Sequence, residues 1–164
     1  NKEVYINYIS NSSLSKLPKG KNYLLEVDRP LVIPTGQKVR FLITSDDVIH
    51  SWWVPDFGFK QDANPGFIND AWTIVNEPGV YRGQCAELCG KDHGFMPIVV
   101  IAKEPAEYNQ WIDEQQAIQE QAKDNGELPK IWFGRVRADM PPIPVRFYIK
   151  TNYGTMIMHL QSIQ

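Results

Sequence analysis

Cysteine and histidine are scarce in this chain: 164 residues hold two of the first, Cys85 and Cys89, and three of the second. At most one disulfide is therefore available. No apolar run approaches the roughly 18–20 residues that span a bilayer, and no secretory leader opens the sequence. The first residue, Asn1, is not Met, so the expectation is a truncated or processed chain, either soluble or separated from its anchor. Charge of one sign is not in excess, with a formal net charge of -2, and no run of Lys and Arg supplies the basic stripe of a nucleic-acid binder. Internal repeats and low-complexity tracts are missing too. Hydrophobic residues at 43% and charged residues at 22% exclude a disordered or collagen-like chain. A chain of this length supports one domain with a real core, burying roughly two thirds of its unfolded surface.

Pro and Gly punctuate the first hundred residues at short intervals, among them Pro18, Pro30, Pro34, Gly36, Pro55, Gly58, Pro65, Pro78 and Gly79. Short strands between such signals make an all-β sandwich or Greek-key barrel the expected fold over residues 1–103. The predicted strands are Tyr23 to Val27, Leu31 to Ile33, Lys38 to Thr44, Ile49 to Val54, Ala71 to Val75, Gly79 to Gln84 and Pro97 to Ala102. Val39, Phe41 and Ile43 alternate with Lys38, Arg40 and Leu42, as a half-buried strand requires. Pro105 followed by Tyr108, Trp111 and Ile112 predicts a C-terminal helix over 104–124 that packs on the barrel. Residues 125–164 are a tail of unassigned role, strand-like from Val145 to Ile149 and from Thr155 to Leu160.

The chemistry concentrates in CAELCGKDHGFM, residues 85–96. A disulfide between Cys85 and Cys89 is the plain alternative, but it would close a very small ring and leave His93 and Met96 without a role. Thiolate, thioether and imidazole together select copper over the oxygen-seeking Mg, Ca and Mn. Zinc accepts two thiolates and two imidazoles, yet has no use for Met96, whose own plain reading is packing at the start of an apolar strand. Cys89, His93 and Met96 match the end-loop of a blue-copper site, and His50, opening HSWWVP, is the candidate distant imidazole. Cys85 is then one thiolate too many for a single copper. Two thiolates can bridge two ions, with His50 and His93 as terminal nitrogens and Met96 and the Glu87 backbone carbonyl as weak axial donors.

With these residues in view the sequence resembles subunit II of haem-copper cytochrome c oxidases, in its dinuclear CuA domain. The likeness runs over roughly residues 5–112, in LLEVDRPLVIPTG, TSDDVIHSWWVPDFGFKQDANPG, NEPGVYRGQCAELCG and KDHGFMPIVV. It implies a cupredoxin-like barrel carrying two copper ions, one held by His50, Cys85, Cys89 and Met96, the other by Cys85, Cys89, His93 and the Glu87 carbonyl. It also implies that the Glu87 carboxylate meets a magnesium ion only in the intact complex with subunit I. Acidic residues gather at Asp46, Asp47, Asp56, Asp62 and Asp70; Asp47 and Asp62 match acids of the family's docking face for cytochrome c. The implied role is a subunit of an oxidoreductase and proton pump, itself only passing electrons from cytochrome c to haem in subunit I. The implied place is the periplasmic face of a bacterial inner membrane or the intermembrane-space face in mitochondria, with the anchoring helices outside this chain. No C-x-x-C-H haem signature is present. Trp53 stands where the family more often has a smaller residue, and alternation sends Trp52 and Trp53 to opposite faces. Two other readings compete: the CuA domain of nitrous oxide reductase, which usually has aromatics where this chain has Ala86, Glu87 and Leu88, and a copper carrier, whose sites sit on flexible segments.

Overall fold

The computed structural model describes residues 20–27 and 29–124, together with the backbone of four later strands. Seven strands come first: β1 (Leu31–Pro34), β2 (Lys38–Ser45), β3 (His50–Val54), β4 (Phe59–Ala63), β5 (Asn69–Ile74), β6 (Gly79–Cys85) and β7 (Pro97–Lys103). Helix α1 (Pro105–Asp124) follows, then β8 (Phe133–Gly134), β9 (Ile143–Pro144), β10 (Phe147–Thr151) and β11 (Gly154–Ser162). One sheet has the order β1-β7-β6-β3-β4 and the other β10-β11-β2-β5. β1 and β7 run parallel, Leu31 opposite Val100, while the other pairings in these sheets are antiparallel. The all-β expectation with one C-terminal helix therefore holds, as a curled half-barrel closed over a second sheet.

The core lies between the two sheets and is built by alternation. In β2, Val39, Phe41 and Ile43 are buried and face Leu31, Ile33, Trp52 and Val100 from the other sheet. Trp52 is fully buried, its ring 5.0 Å from Phe41 and stacked on Phe59 at 5.2 Å. Such aromatic pairs add about 0.5–1.5 kcal/mol each beyond area burial. They anchor the middle of β3, two residues from His50. Trp53 points the other way and is 41% exposed, as alternation requires.

Helix α1 covers the outer side of β1 and β7. Tyr108 and Ile112 are buried against Val32, with Trp111 and Ile101 partly buried beside them, an i, i+3, i+4 stripe. Among the described side chains beyond Ile112 none is buried, and Ile118 is 59% exposed, in keeping with the Gln- and Glu-rich composition there. β10 and β11 form a hairpin, and β11 lies antiparallel along β2 with Leu160 opposite Phe41. Val145 and the prolines Pro141 and Pro142 lie outside the described residues.

Two strand expectations need correction. Tyr23 to Val27 is not a strand: Tyr23 N–H donates to the Gly20 carbonyl and Leu25 N–H to that of Asn22, and Leu24 takes a left-handed φ of 68°. Arg82 then holds the segment, donating to the Leu25 carbonyl and pairing with Glu26, both at 2.7 Å. The β-rich composition Tyr-Leu-Leu gave way to two consecutive tight turns. Conversely β4 was not expected; its residues Phe59 and Ala63 turn inward while Lys60 and Asp62 turn out, paired along β3.

Candidate metal centre

The register of β3 and β6 sets the site. Trp52 pairs with Cys85, so His50, two residues earlier on the same face of β3, points to the same side as the cysteine. Chain reversal from β6 to β7 creates the loop 86–96, whose base is closed by Cys85 N–H donating to the Met96 carbonyl at 3.1 Å. Ala86 N–H donates to the Ser51 carbonyl at 2.9 Å and ties the loop to β3. Gly90 follows Cys89 at φ 128°, a conformation that side-chain-bearing residues rarely adopt, and lets the loop return toward His93.

These constraints bring the predicted donors together. Cys85 Sγ lies 3.9 Å from both His50 Nδ1 and Cys89 Sγ. Cys89 Sγ lies 3.5 Å from His93 Nδ1 and 3.5 Å from Met96 Sδ. The Glu87 carbonyl sits 3.4 Å from Cys85 Sγ, while the Glu87 side chain is exposed. Ligand atoms of His50, Cys85 and Cys89 all fall within 4.8 Å of one another. Both thiols are free, Cys85 buried and Cys89 half-buried. A cavity of about 20 Å³ opens between His50, Cys89, Gly90, Lys91, Asp92, His93 and Met96, room for a water-sized group or a bare ion.

The electrostatics suit cation binding. Burial would push the Cys85 thiol up, but hydrogen bonds from His50, the Ser51 and Glu87 backbone and His93 outweigh it and bring the group down to about 6. Burial and the adjacent Cys85 thiolate push Cys89 up to about 12. A metal bound at this pair would displace the proton that burial and the neighbouring thiolate keep on Cys89. Burial lowers His50, yet its contacts with Cys85 and Asp47 win and raise it. Met96, buried with its sulfur against Cys89, adds a thioether to the donor set. That set of two thiols, two imidazoles, a thioether and a carbonyl fits copper and leaves zinc with a donor it does not use.

A sequence profile of the periplasmic domain of cytochrome c oxidase subunit II matches residues 4–103. The chain belongs to the cytochrome c oxidase subunit II family. The probable cytochrome c oxidase subunit 2 of Rickettsia prowazekii is 56% identical over 93 residues, which cover 57% of this chain and 30% of that protein. The mitochondrial cytochrome c oxidase subunit 2 of Vigna unguiculata is 50% identical over 99 residues, 60% of this chain and 26% of that one. This chain thus spans about a third of the length of such curated relatives. The crystal structure of the periplasmic domain of subunit II (CoxB) of Bradyrhizobium japonicum has a TM-score of 0.57 at 40% identity, covering 71% of this chain and 76% of that one. A second solved structure, a mixed disulfide intermediate between a thioredoxin-like protein and CoxB, has a TM-score of 0.51 at 38% identity, covering 71% of this chain and 73% of that one. Among the described residues no helix is long and apolar enough to cross a membrane.

Of the acidic residues, only some share the ligand end of the barrel. Asp56 follows β3, at the far end of that strand from His50, and Asp70 is paired with Arg40 at 2.9 Å. Asp62 is exposed on β4 opposite Ser51, near the site. Asp47 does something the sequence did not announce: its Oδ1 lies 2.8 Å from His50 Nε2. The signal was available in the spacing Asp-x-x-His, which a tight turn folds into contact.

Proposed function

We propose that His50, Cys85, Cys89, His93, Met96 and the Glu87 carbonyl hold a dinuclear copper centre through which the domain takes single electrons from reduced cytochrome c and passes them to haem in subunit I of a proton-pumping oxidase. The observation that carries this reading is the 3.9 Å approach of two free thiols, each with its own imidazole Nδ1 within 3.9 Å. Such a pair, when loaded, would share one electron over two ions and so change geometry little on transfer. The protein's part is rigidity and exclusion of water. Cys85, Met96 and His50 are buried, and the ligand loop is pinned by backbone hydrogen bonds to β3, through Ala86 and Ser51, and to Cys85 at the end of β6, through Met96. A copper carrier needs donors that part easily, and buried ligands on two strands suit that task poorly. Ala86, Glu87 and Leu88 speak against the nitrous oxide reductase type.

The Glu87 carboxylate, exposed beside the cysteines, is proposed to meet magnesium only where subunit I completes the site. The thioredoxin-like partner of the related domain suggests how the thiols are kept ready. A Cys85–Cys89 disulfide formed in air would be opened by a dithiol reductant attacking Cys89, the more exposed sulfur, with release of the Cys85 thiolate.

Two measurements test the proposal. Copper added to the reduced chain should give a purple species with a seven-line electron-spin signal. A single blue centre, a colourless adduct or no uptake would sink it. Asp62 and Asp47 are the proposed docking acids, so Asp62→Lys should slow electron uptake from cytochrome c at low ionic strength. The difference should shrink as salt screens the encounter; an unchanged rate at low salt would take Asp62 off the docking face.

A further inference from the structure

Behind His50 runs a short chain of hydrogen bonds that docking does not require. Asp47 Oδ1 lies 2.8 Å from His50 Nε2 and accepts the Ser45 hydroxyl at 2.9 Å. The same hydroxyl lies 2.5 Å from the Val48 carbonyl, and its oxygen accepts the Asp47 backbone N–H at 3.3 Å. Ser45 is 4% exposed and the His50 side chain 2%, so water hardly competes for either. The Asp47 side chain is 28% exposed, and one of its two oxygens is committed inward. A carboxylate only accepts hydrogen bonds, so the imidazole proton stays on Nε2. The nitrogen that turns to Cys85 Sγ, at 3.9 Å, is then Nδ1, whose lone pair is open to a metal once the proton it shares with the thiolate has left. His93, half-buried at the rim, is instead held through Nδ1 against Cys89 Sγ at 3.5 Å.

We infer that Asp47, braced by Ser45, is a positioning residue: its bond to Nε2 fixes the tautomer and aim of His50, so that Nδ1 is presented to copper. The inference rests on the copper reading above and adds to it a role for Asp47 that acts through His50 and is separable from any role as a docking charge. Metal-bound histidines commonly rely on such outer carboxylates, whose loss costs roughly 10- to 100-fold in metal affinity.

The test uses the copper-loaded chain and two readouts other than electron-transfer activity: the rate of copper release to a chelator, and the solvent exchange of the His50 Nε2 proton by NMR. Asp47→Ala should release copper roughly 10- to 100-fold faster and speed the proton exchange by a similar order. Asp47→Asn removes the charge but keeps a carbonyl acceptor, and should stay close to the wild type in both. Ser45→Ala, which leaves every charge in place, should fall between. Asp62→Asn, with the same loss of charge and no contact with His50, should change neither. If Asp47→Ala matches the wild type, or if Asp47→Asn and Asp47→Ala shift alike, Asp47 acts as a charge alone and the positioning role is overturned. If Asp47→Ala does not fold, an unchanged Ser45→Ala together with an Asp47→Asn that loses copper would overturn it equally. Failure of the wild type to form the purple species refutes the copper reading instead, a result these variants cannot mimic.

Discussion

Cys85→Ser is expected to convert the proposed dinuclear centre into a one-copper site and to abolish the purple species. The hydroxyl of serine is a harder donor than a thiol, stays protonated at neutral pH, and cannot bridge two ions as a thiolate does. What remains is Cys89, two imidazoles and Met96, the donor set of a blue-copper site. The Cys89 thiol should also change. Burial raises it first, but the Cys85 thiolate beside it adds to the rise, so removing that charge lets Cys89 ionise more readily and favours a single thiolate–copper bond. The fold should survive: the Cys85 side chain lies 3.4 Å from the Glu87 carbonyl, an acceptor for a serine hydroxyl, and a near-isosteric change of this kind costs on the order of 1 kcal/mol. Copper analysis should fall from two ions per chain toward one, with a four-line spin signal in place of seven. Persistence of the seven-line signal would mean that Cys85 does not bridge.

The proposed donors can be picked out in the sequence because most of them lie within the twelve residues 85–96, and because thiol, thioether and imidazole chemistry leaves few metals to choose from. The distant histidine was legible only through the phrase that surrounds it; physically it is the β3–β6 register, Trp52 opposite Cys85, that brings it in. Local composition failed where tertiary partners decide the backbone. Tyr23 to Val27 carries strand-forming residues but is turned by its own hydrogen bonds and held by Arg82. β4 carries Lys, Gln and Asp and still forms a strand, because Phe59 stacks on Trp52 and the rest of the segment pairs along β3. Asp47 read as a surface charge, and half of that reading stands; its other oxygen belongs to His50 through a turn that no periodicity encodes.

Gly83→Ala should be the most damaging single methyl that can be added near the site. A Cβ built at Gly83 would lie 2.0 Å from the Trp53 carbonyl oxygen, 2.7 Å from Val54 Cγ2 and 2.8 Å from the Trp53 carbonyl carbon. Two of those atoms are backbone and cannot swing away, so β3 and β6 must separate. They are joined by only two residue pairs, Trp52 with Cys85 and Trp53 with Gln84. Overpacking costs about 1–3 kcal/mol where side chains can adjust, and a backbone clash belongs at or above the upper end. A loss of about 3 kcal/mol lowers the melting temperature by roughly 6–12 °C in a chain of this size. The functional loss should exceed the loss of stability, because the same pairing sets the 3.9 Å between Cys85 Sγ and His50 Nδ1. A shift of even a fraction of an ångström there should spoil the proposed two-ion site. Gly94→Ala is the control, in the ligand loop itself, with nothing within 4 Å of its added Cβ. Thermal melts and copper titration of the two variants separate the outcomes: Gly94→Ala should melt and load like the wild type, while Gly83→Ala should melt early and, when folded, take up copper without the purple band. A Gly83→Ala chain that melts with the wild type and turns purple would show that the β3–β6 contact does not hold the two halves of the site in place.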